Sequence, residues 1–319
     1  MKGAIIKNFG VFFEMTRPYN LFVPGAVGFC GAILAYGGFP PLNLLLMATL
    51  FPALLWAAGQ LINDYLNYEE DLIGKPFLPL PSGRVSKQEV LLVSVTTFLI
   101  VVVITAYYSL MGAAFALIFI IGTTLYSGGF KKKGIYGNIL FGAMVASCLI
   151  IGASISADKI SELIYLVLIA IIVNHSSQNL VGTFKDLEVD AKTHASTVIQ
   201  IKGIHISILY AFVISTLALI VSLTPWYFGY LKENYVLIPF CAYLFQMRAL
   251  GLFYHSPSVN NGFEALKMYR TATIPLYLSF TAGLPGFSVV ITGLTALIFM
   301  GFAELLQEMI TEKPVIVNI

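Results

Sequence analysis

Charge, cysteine, histidine and tryptophan are all scarce in this chain. Asp, Glu, Lys and Arg make up 11% of its 319 residues, against about 25% in ordinary soluble domains. That excludes a soluble globular class. The three cysteines, Cys30, Cys148 and Cys241, all fall within apolar stretches, where a thiol behaves as a small hydrophobe. This leaves no disulfide framework and no metal–thiolate centre. His194 and His205 form no pair with ligand spacing, and Gly128-Gly129 makes no dinucleotide fingerprint. Residues Met1 to Thr16 lack the long apolar core of a secretory signal and read as an interfacial segment ending near Pro18. Nothing resembles a low-complexity tract, and one transmembrane domain over residues 1–319 is expected.

What is abundant is lipid-soluble sequence. Hydrophobic residues reach 58% and the mean hydropathy is +0.86, which places the chain among polytopic membrane proteins. Apolar spans run from Tyr19 to Gly38, Leu42 to Ile62, Glu89 to Ser109, Leu110 to Ser127, Gly137 to Ala157, Leu163 to Gly182, Ile204 to Trp226 and Tyr235 to Tyr254. The stretch from Thr271 to Leu306 is too long for one span and is broken by Gly283, Pro285 and Gly286, so nine or ten spans are expected. The fold class is therefore all-α. Fifteen of the eighteen Lys and Arg residues lie in the N-terminal segment and the even-numbered loops, which predicts that those loops are cytoplasmic. Their spread along loops beside anionic lipid needs no nucleic acid to explain it.

Against this background two acidic clusters stand out, Asn63-Asp64-Tyr65-Leu66-Asn67-Tyr68-Glu69-Glu70-Asp71 and Lys185-Asp186-Leu187-Glu188-Val189-Asp190. Carboxylates this dense are costly beside hydrocarbon and mark a functional site by default. They follow the second and sixth spans, in the two longest loops, roughly 63–88 and 183–203, so they share one membrane side and hint at a duplicated four-helix unit. On a continuing helix Asn63, Asn67 and Asp71 share a face, as do Asp186 and Asp190. Such rows of oxygens suit a hard cation such as Mg²⁺ that bridges a diphosphate. Arg84, Lys131, Lys132, Lys133 and Lys185 can neutralise the remaining phosphate charge. Two other readings compete: a solvated rim paired with basic loops, and a cation-coupled transporter, which wants acids near the bilayer midplane.

The segment Asn63 to Asp71 followed by Lys75-Pro76-Phe77-Leu78-Pro79-Leu80-Pro81-Ser82-Gly83-Arg84-Val85-Ser86 resembles the first motif of the UbiA superfamily of intramembrane prenyltransferases. Asp186-x-Glu188-x-Asp190, with Thr197 and Gly203 downstream, is similar to the second motif. Tyr126 with Lys131, Lys132, Gly134, Gly137 and Asn138 resembles the tyrosine-lysine loop between them. The resemblance runs from about Arg17 to about Gly283. It implies a helical bundle around a central lipid-open cavity with a polar cytoplasmic cap. It also implies a prenyl diphosphate donor held by Mg²⁺ between Asn63, Asp64, Asn67, Asp71, Asp186 and Asp190.

In that family picture the lysines Lys131, Lys132 and Lys185, with Arg84, grip the diphosphate. Tyr126 faces the allylic cation or positions the diphosphate, or else is only an interfacial anchor. Lys133 serves orientation. Arg17, in an Arg-Pro-x-Asn start with Asn20, touches an anionic acceptor or anchors the interface. Asn174, His175, Gln178 and Asn179 in the sixth span bind an acceptor head group or hydrogen-bond between helices. The chain departs from the family pattern at Asn67, Leu78 and Ser196, where Asp, Arg and Lys are usual, which makes the metal site one carboxylate poorer unless Glu69 or Glu70 compensates. Motif spacing leans to the branch that prenylates geranylgeranylglyceryl phosphate. Aromatic acceptors of quinone, chlorophyll or haem pathways are the alternative, and the oligomeric state is open.

Overall fold

The computed structural model describes residues 10–187 and 196–309. Among these, the long helices are α1 (Phe22–Tyr36), α2 (Leu42–Leu66), α3 (Lys87–Tyr108), α4 (Leu110–Ser127), α5 (Ile135–Ser156), α6 (Glu162–Gly182), α7 (Ile204–Ser222), α8 (Leu237–His255), α9 (Val259–Ala282) and α10 (Val289–Met309). No strand occurs among the described residues. Nine of the helical segments there are long and apolar enough to cross a membrane, and the protein is an integral multi-pass helical bundle. The long helix outside that set is α9, which begins with Glu264, Lys267 and Arg270 in its first half.

The last apolar stretch does break after Gly283, but the helix before the break starts at Val259 rather than near Thr271. Ser258 explains the earlier start, because its hydroxyl caps the helix by accepting from the Asn261 N–H at 3.2 Å. Another correction concerns α2. The face shared by Asn63, Asn67 and Asp71 is not carried by one continuous helix: Asn67 interrupts it with φ −94° and ψ 11°, and a short helix, Tyr68–Gly74, follows.

At the centre lies α5, packed against α1, α2, α4 and α6. Its run of Gly142, Ala146, Ser147, Gly152, Ala153 and Ser154 lets backbones approach closely, the usual device where lipid offers helices no hydrophobic drive to associate. A Cβ on Gly152 would lie 2.0 Å from the Gly28 carbonyl oxygen of α1, so this crossing requires glycine. The outer helices reverse the soluble pattern. Leu92, Leu99 and Val103 of α3, with Leu294, Leu297 and Phe302 of α10, point outward toward lipid.

Two small apolar clusters position the acid-bearing segments. The N-terminal helix, residues 10–15, sets Val11 and Met15 against Leu61, Leu80, Val85 and Val90, tying the 63–88 loop to the end of α2. Ser86 then starts α3 with a reciprocal cap, Ser86 Oγ accepting from the Glu89 N–H at 3.2 Å and Glu89 accepting from the Ser86 N–H at 2.8 Å. At the other segment, Phe184, Val198 and Ile199 pack with Phe253, Ala265 and Tyr269, so Lys185 and Asp186 rest against α8 and α9. A cleft of about 430 Å³ between α7 and α8, lined by Ile208, Phe212 and Leu250 among others, contains none of the predicted site residues.

Candidate active site

The site grows from the last turn of α2. Asn63 is half-buried and its amide donates to Ser127 Oγ at 3.0 Å, which leaves the Asn63 carbonyl oxygen as an acceptor. Asp64 is buried, and Arg17 reaches it with Nη2 at 3.0 Å from Oδ1 while Nη1 donates to Gln60 Oε1 at 2.5 Å. Arg17 has φ 47° and ψ 64°, the one non-glycine residue with positive φ among the described residues. A strained backbone of this kind costs of order 1–3 kcal/mol and persists where the surroundings fix it. Here the arginine is held by an ion pair at the edge of the acid cluster.

Past Asn67 the chain turns into Tyr68–Gly74. Asn67 is buried and its carbonyl accepts from Lys131 Nζ at 2.6 Å. Glu70 receives Lys131 at 2.9 Å and Lys132 at 2.6 Å. Burial alone would lift the Glu70 carboxyl, but the hydrogen bonds and charges of these two lysines outweigh it and hold the group below its usual range. Glu70 is therefore engaged by the two lysines in this structure. Glu69 is exposed, 3.7 Å from Lys87, which also sits 4.0 Å over the Tyr68 ring. Asp71 differs from both, with no ion pair within 4.0 Å among the described residues. Its carboxyl is raised by burial, with Glu70 adding to the rise and Lys75, Arg17 and Lys131 pulling against it.

The tyrosine-lysine loop is what joins the ends of the helices. Gly129, at φ 135°, starts the turn that carries Lys131 and Lys132 back over the acid cluster. Tyr126 donates to Asn179 Oδ1 at 3.3 Å, and Asn179 donates to Asn138 Oδ1 at 2.7 Å. A polar line thus runs from Asn63 through Ser127 and Tyr126 to α6, seven residues before Asp186. Below it, rings cross the interior where the sequence reading expects the cavity: Phe119 against Trp56 at 5.8 Å, Trp56 against Phe141 at 5.4 Å, and Phe141 against Tyr126 at 5.0 Å.

Two predicted residues are engaged away from the first acidic cluster. Arg84 makes a two-pronged pair with Glu14 at 2.8 and 2.9 Å and donates to the Phe77 carbonyl, so it is committed away from the acid cluster. Lys185 grips its neighbour Asp186 at 2.7 and 2.9 Å. Asp190, like Glu188, Lys192 and His194, lies outside the described residues. Lys133 is exposed, and Ser196 likewise. Sequence reasoning missed Gln60, Ser127 and Glu14. Gln60 was detectable as a polar residue inside an apolar span, one turn before Asp64; Ser127 and Glu14 carried no such signal.

The donors suit a hard cation. They are all oxygens: the carboxylates of Asp64 and Asp71, which repel each other, and the Asn63 carbonyl. Among the described residues no three His, Cys, Asp or Glu side chains gather closely enough to hold an ion by themselves. Mg²⁺ does not need that, since it is usually held by one or two carboxylates together with substrate phosphates.

The model of the UbiA prenyltransferase family matches residues 21–270. The chain belongs to this family. It is 32% identical over 228 residues to the digeranylgeranylglyceryl phosphate synthase of Thermococcus gammatolerans, covering 72% of this chain and 82% of that one. To the same-named protein of Pyrococcus furiosus it is 29% identical, over 85% of this chain and 96% of that one. Its fold is similar to a solved structure concerned with digeranylgeranylglyceryl phosphate synthase in membranes, with TM-score 0.71, 21% identity and coverage of 86% and 98%. A UbiA homologue from Archaeoglobus fulgidus bound to GPP and Mg²⁺ shares the fold with TM-score 0.59 and 15% identity, over 93% and 99%. As a member of the UbiA family, the protein is an intramembrane prenyltransferase.

Proposed function

We propose that this UbiA-family enzyme moves a geranylgeranyl group from its diphosphate to a lipophilic alcohol, with geranylgeranylglyceryl phosphate as the acceptor, a reading supported by its similarity to proteins named digeranylgeranylglyceryl phosphate synthase. The observation that carries the reading is the convergence of Asn63, Asp64 and Asp71 with Tyr126, Lys131 and Lys132 at one end of the bundle. Both charge signs that a metal-bound diphosphate requires are present there.

In this reading the donor lies with its diphosphate among the acid cluster and the lysines, and its tail against Trp56, Phe119 and Phe141. Asn63, Asp64 and Asp71 would hold Mg²⁺, with Asp186 and Asp190 as the candidate ligands of the second segment. The ion supplies charge neutralisation on the diphosphate oxygens. Lys131 and Lys132 exchange Glu70 for phosphate and stabilise the negative charge that grows as the allylic carbon–oxygen bond breaks. The Tyr126 ring faces the cationic carbon fragment, and its hydroxyl bond to Asn179 fixes the ring's position. Arg17, already at the edge of the cluster, meets the acceptor's anionic group. In this reading that end of the bundle faces the cytoplasm, which the basic residues of its loops support.

The test is diphosphate release by purified protein in detergent, given geranylgeranyl diphosphate with and without Mg²⁺ and a panel of lipid-alcohol and aromatic acceptors. Metal-dependent release with geranylgeranylglyceryl phosphate is the expected result. Release with an aromatic acceptor alone would transfer the enzyme to the other branch.

A further inference from the structure

Deeper in the bundle, beneath the site already described, sits a histidine that no step above uses. His175 is buried on α6, seven residues before the helix ends at Gly182 and so about 10 Å along the axis from that end. Its Nδ1 lies 2.9 Å from the Tyr277 hydroxyl of α9. That hydroxyl donates its single proton to Asn174 Oδ1 at 3.2 Å. With that proton directed to Asn174, the phenol oxygen accepts from His175, the tautomer that carries hydrogen on Nδ1 and a lone pair on Nε2. Nε2 makes no hydrogen bond to any described residue.

The ring is also placed for the chemistry. Phe141 stacks on it at 5.7 Å and 14°, and the same Phe141 touches Tyr126 at 5.0 Å. Asn179, the partner of Tyr126, is one turn above His175 on the same helix. His175 therefore lies one turn further from the rim than Asn179, the residue that anchors Tyr126, and shares with Tyr126 the ring of Phe141.

We propose that His175 is the general base of the transfer. The carbon–oxygen bond of the prenyl diphosphate breaks with its electron pair leaving on the diphosphate. The acceptor hydroxyl oxygen bonds to the allylic carbon, and its proton passes to His175 Nε2, from which it leaves to the diphosphate product. Tyr277 and Asn174 are positioning residues that fix the tautomer. The proposal rests on the alcohol-acceptor reading above, and it competes with a purely structural role for the α6–α9 hydrogen bonds.

Full-length protein in detergent, with Mg²⁺, geranylgeranyl diphosphate and an alcohol acceptor, separates these. General-base catalysis contributes ~10²–10⁴-fold, so His175→Gln is expected to lower kcat by at least ~10²-fold. Binding of the unreactive thiolodiphosphate analogue of the donor and the thermal midpoint should stay at wild-type values. An acceptor carrying a thiol in place of its hydroxyl gives up its proton more easily and should recover most of the loss. Tyr277→Phe should show a smaller fall in kcat with the same recovery. An unchanged kcat in His175→Gln overturns the proposal, as does equal loss with alcohol and thiol, or loss of donor binding and thermal midpoint in parallel with activity. Wild-type protein that prenylates no alcohol overturns the parent reading instead.

Discussion

The polar rim and the polar row inside the bundle solve opposite problems. At the rim, Asp64, Glu70 and Asp186 are all ion-paired, with Arg17, with Lys131 and Lys132, and with Lys185. Inside, α6 meets α7 and α9 through neutral groups: Asn174 and His175 with Tyr277, Gln178 with Thr273, and Ser177 with Ser215, which in turn meets Tyr269. Charges stay where water reaches, because an unpaired ion in hydrocarbon is costly, whereas neutral groups can be satisfied helix to helix. The difference teaches where each kind of chemistry is available: exchangeable partners at the rim for an incoming diphosphate, fixed orientation inside for a neutral acceptor.

The comparison breaks most readily at Asp71, which makes no ion pair among the described residues and whose carboxyl is raised by burial. Asp71→Asn keeps the shape and removes the charge. Losing several kcal/mol of metal-borne stabilisation corresponds to a fall in turnover of roughly 10³-fold. Diphosphate release should show that fall while the thermal midpoint holds, and activity within tenfold of wild type would remove Asp71 from the site. Lys131→Met comes next. A hydrogen bond to a charged group is worth about 1.5–3 kcal/mol, so turnover should drop by roughly 10–100-fold. Unaltered kinetics would mean that Lys131 serves only Glu70 and Asn67.

Much of this was legible in the sequence, because lipid and charge both leave strong marks. Span positions follow from apolar length, and the two acidic clusters are conspicuous against hydrocarbon. Charge inside α9 hid its first half: Glu264, Lys267 and Arg270 read as a loop, while tertiary packing of Ala265 and Tyr269 makes a helix of it. Arg84 was misleading for a similar reason, since a sequence gives its sign and not its partner, and Glu14 lies 70 residues away. The departure at Asn67 now has a physical context, since its oxygen is held by Lys131. Tyr277 gave no sign of its place beside His175, because an aromatic residue in an apolar stretch reads as core.

A smaller effect sharpens the interior side. Thr273→Val removes the hydroxyl that Gln178 accepts from, in a pair joining α6 to α9. Interhelical hydrogen bonds in membranes average about 0.6 kcal/mol, so the thermal midpoint should fall slightly and turnover should remain. A turnover loss as large as that of His175→Gln would make the whole row one catalytic unit.

The smallest effect concerns pH and returns to the rim, where Glu70 and Asp71 are shifted in opposite directions. Glu70 titrates below its usual range in the folded protein, so the stability it contributes is complete above the unfolded value of about 4.3 and is lost as pH falls through the folded value. Asp71 titrates above its usual range; its charge opposes folding at neutral pH, and that penalty lifts as pH falls through the raised value. The two contributions cancel in part, which hides both in the wild type. Glu70→Gln isolates Asp71 and should lose less stability on acidification than wild type, whereas Asp71→Asn isolates Glu70 and should lose more. Glu70 is 48% exposed, which keeps its increment within about 1 kcal/mol. Thermal midpoints in detergent between pH 7 and pH 3.5 read that order directly; the reverse order would mean that Asp71, not Glu70, is the carboxylate the lysines hold.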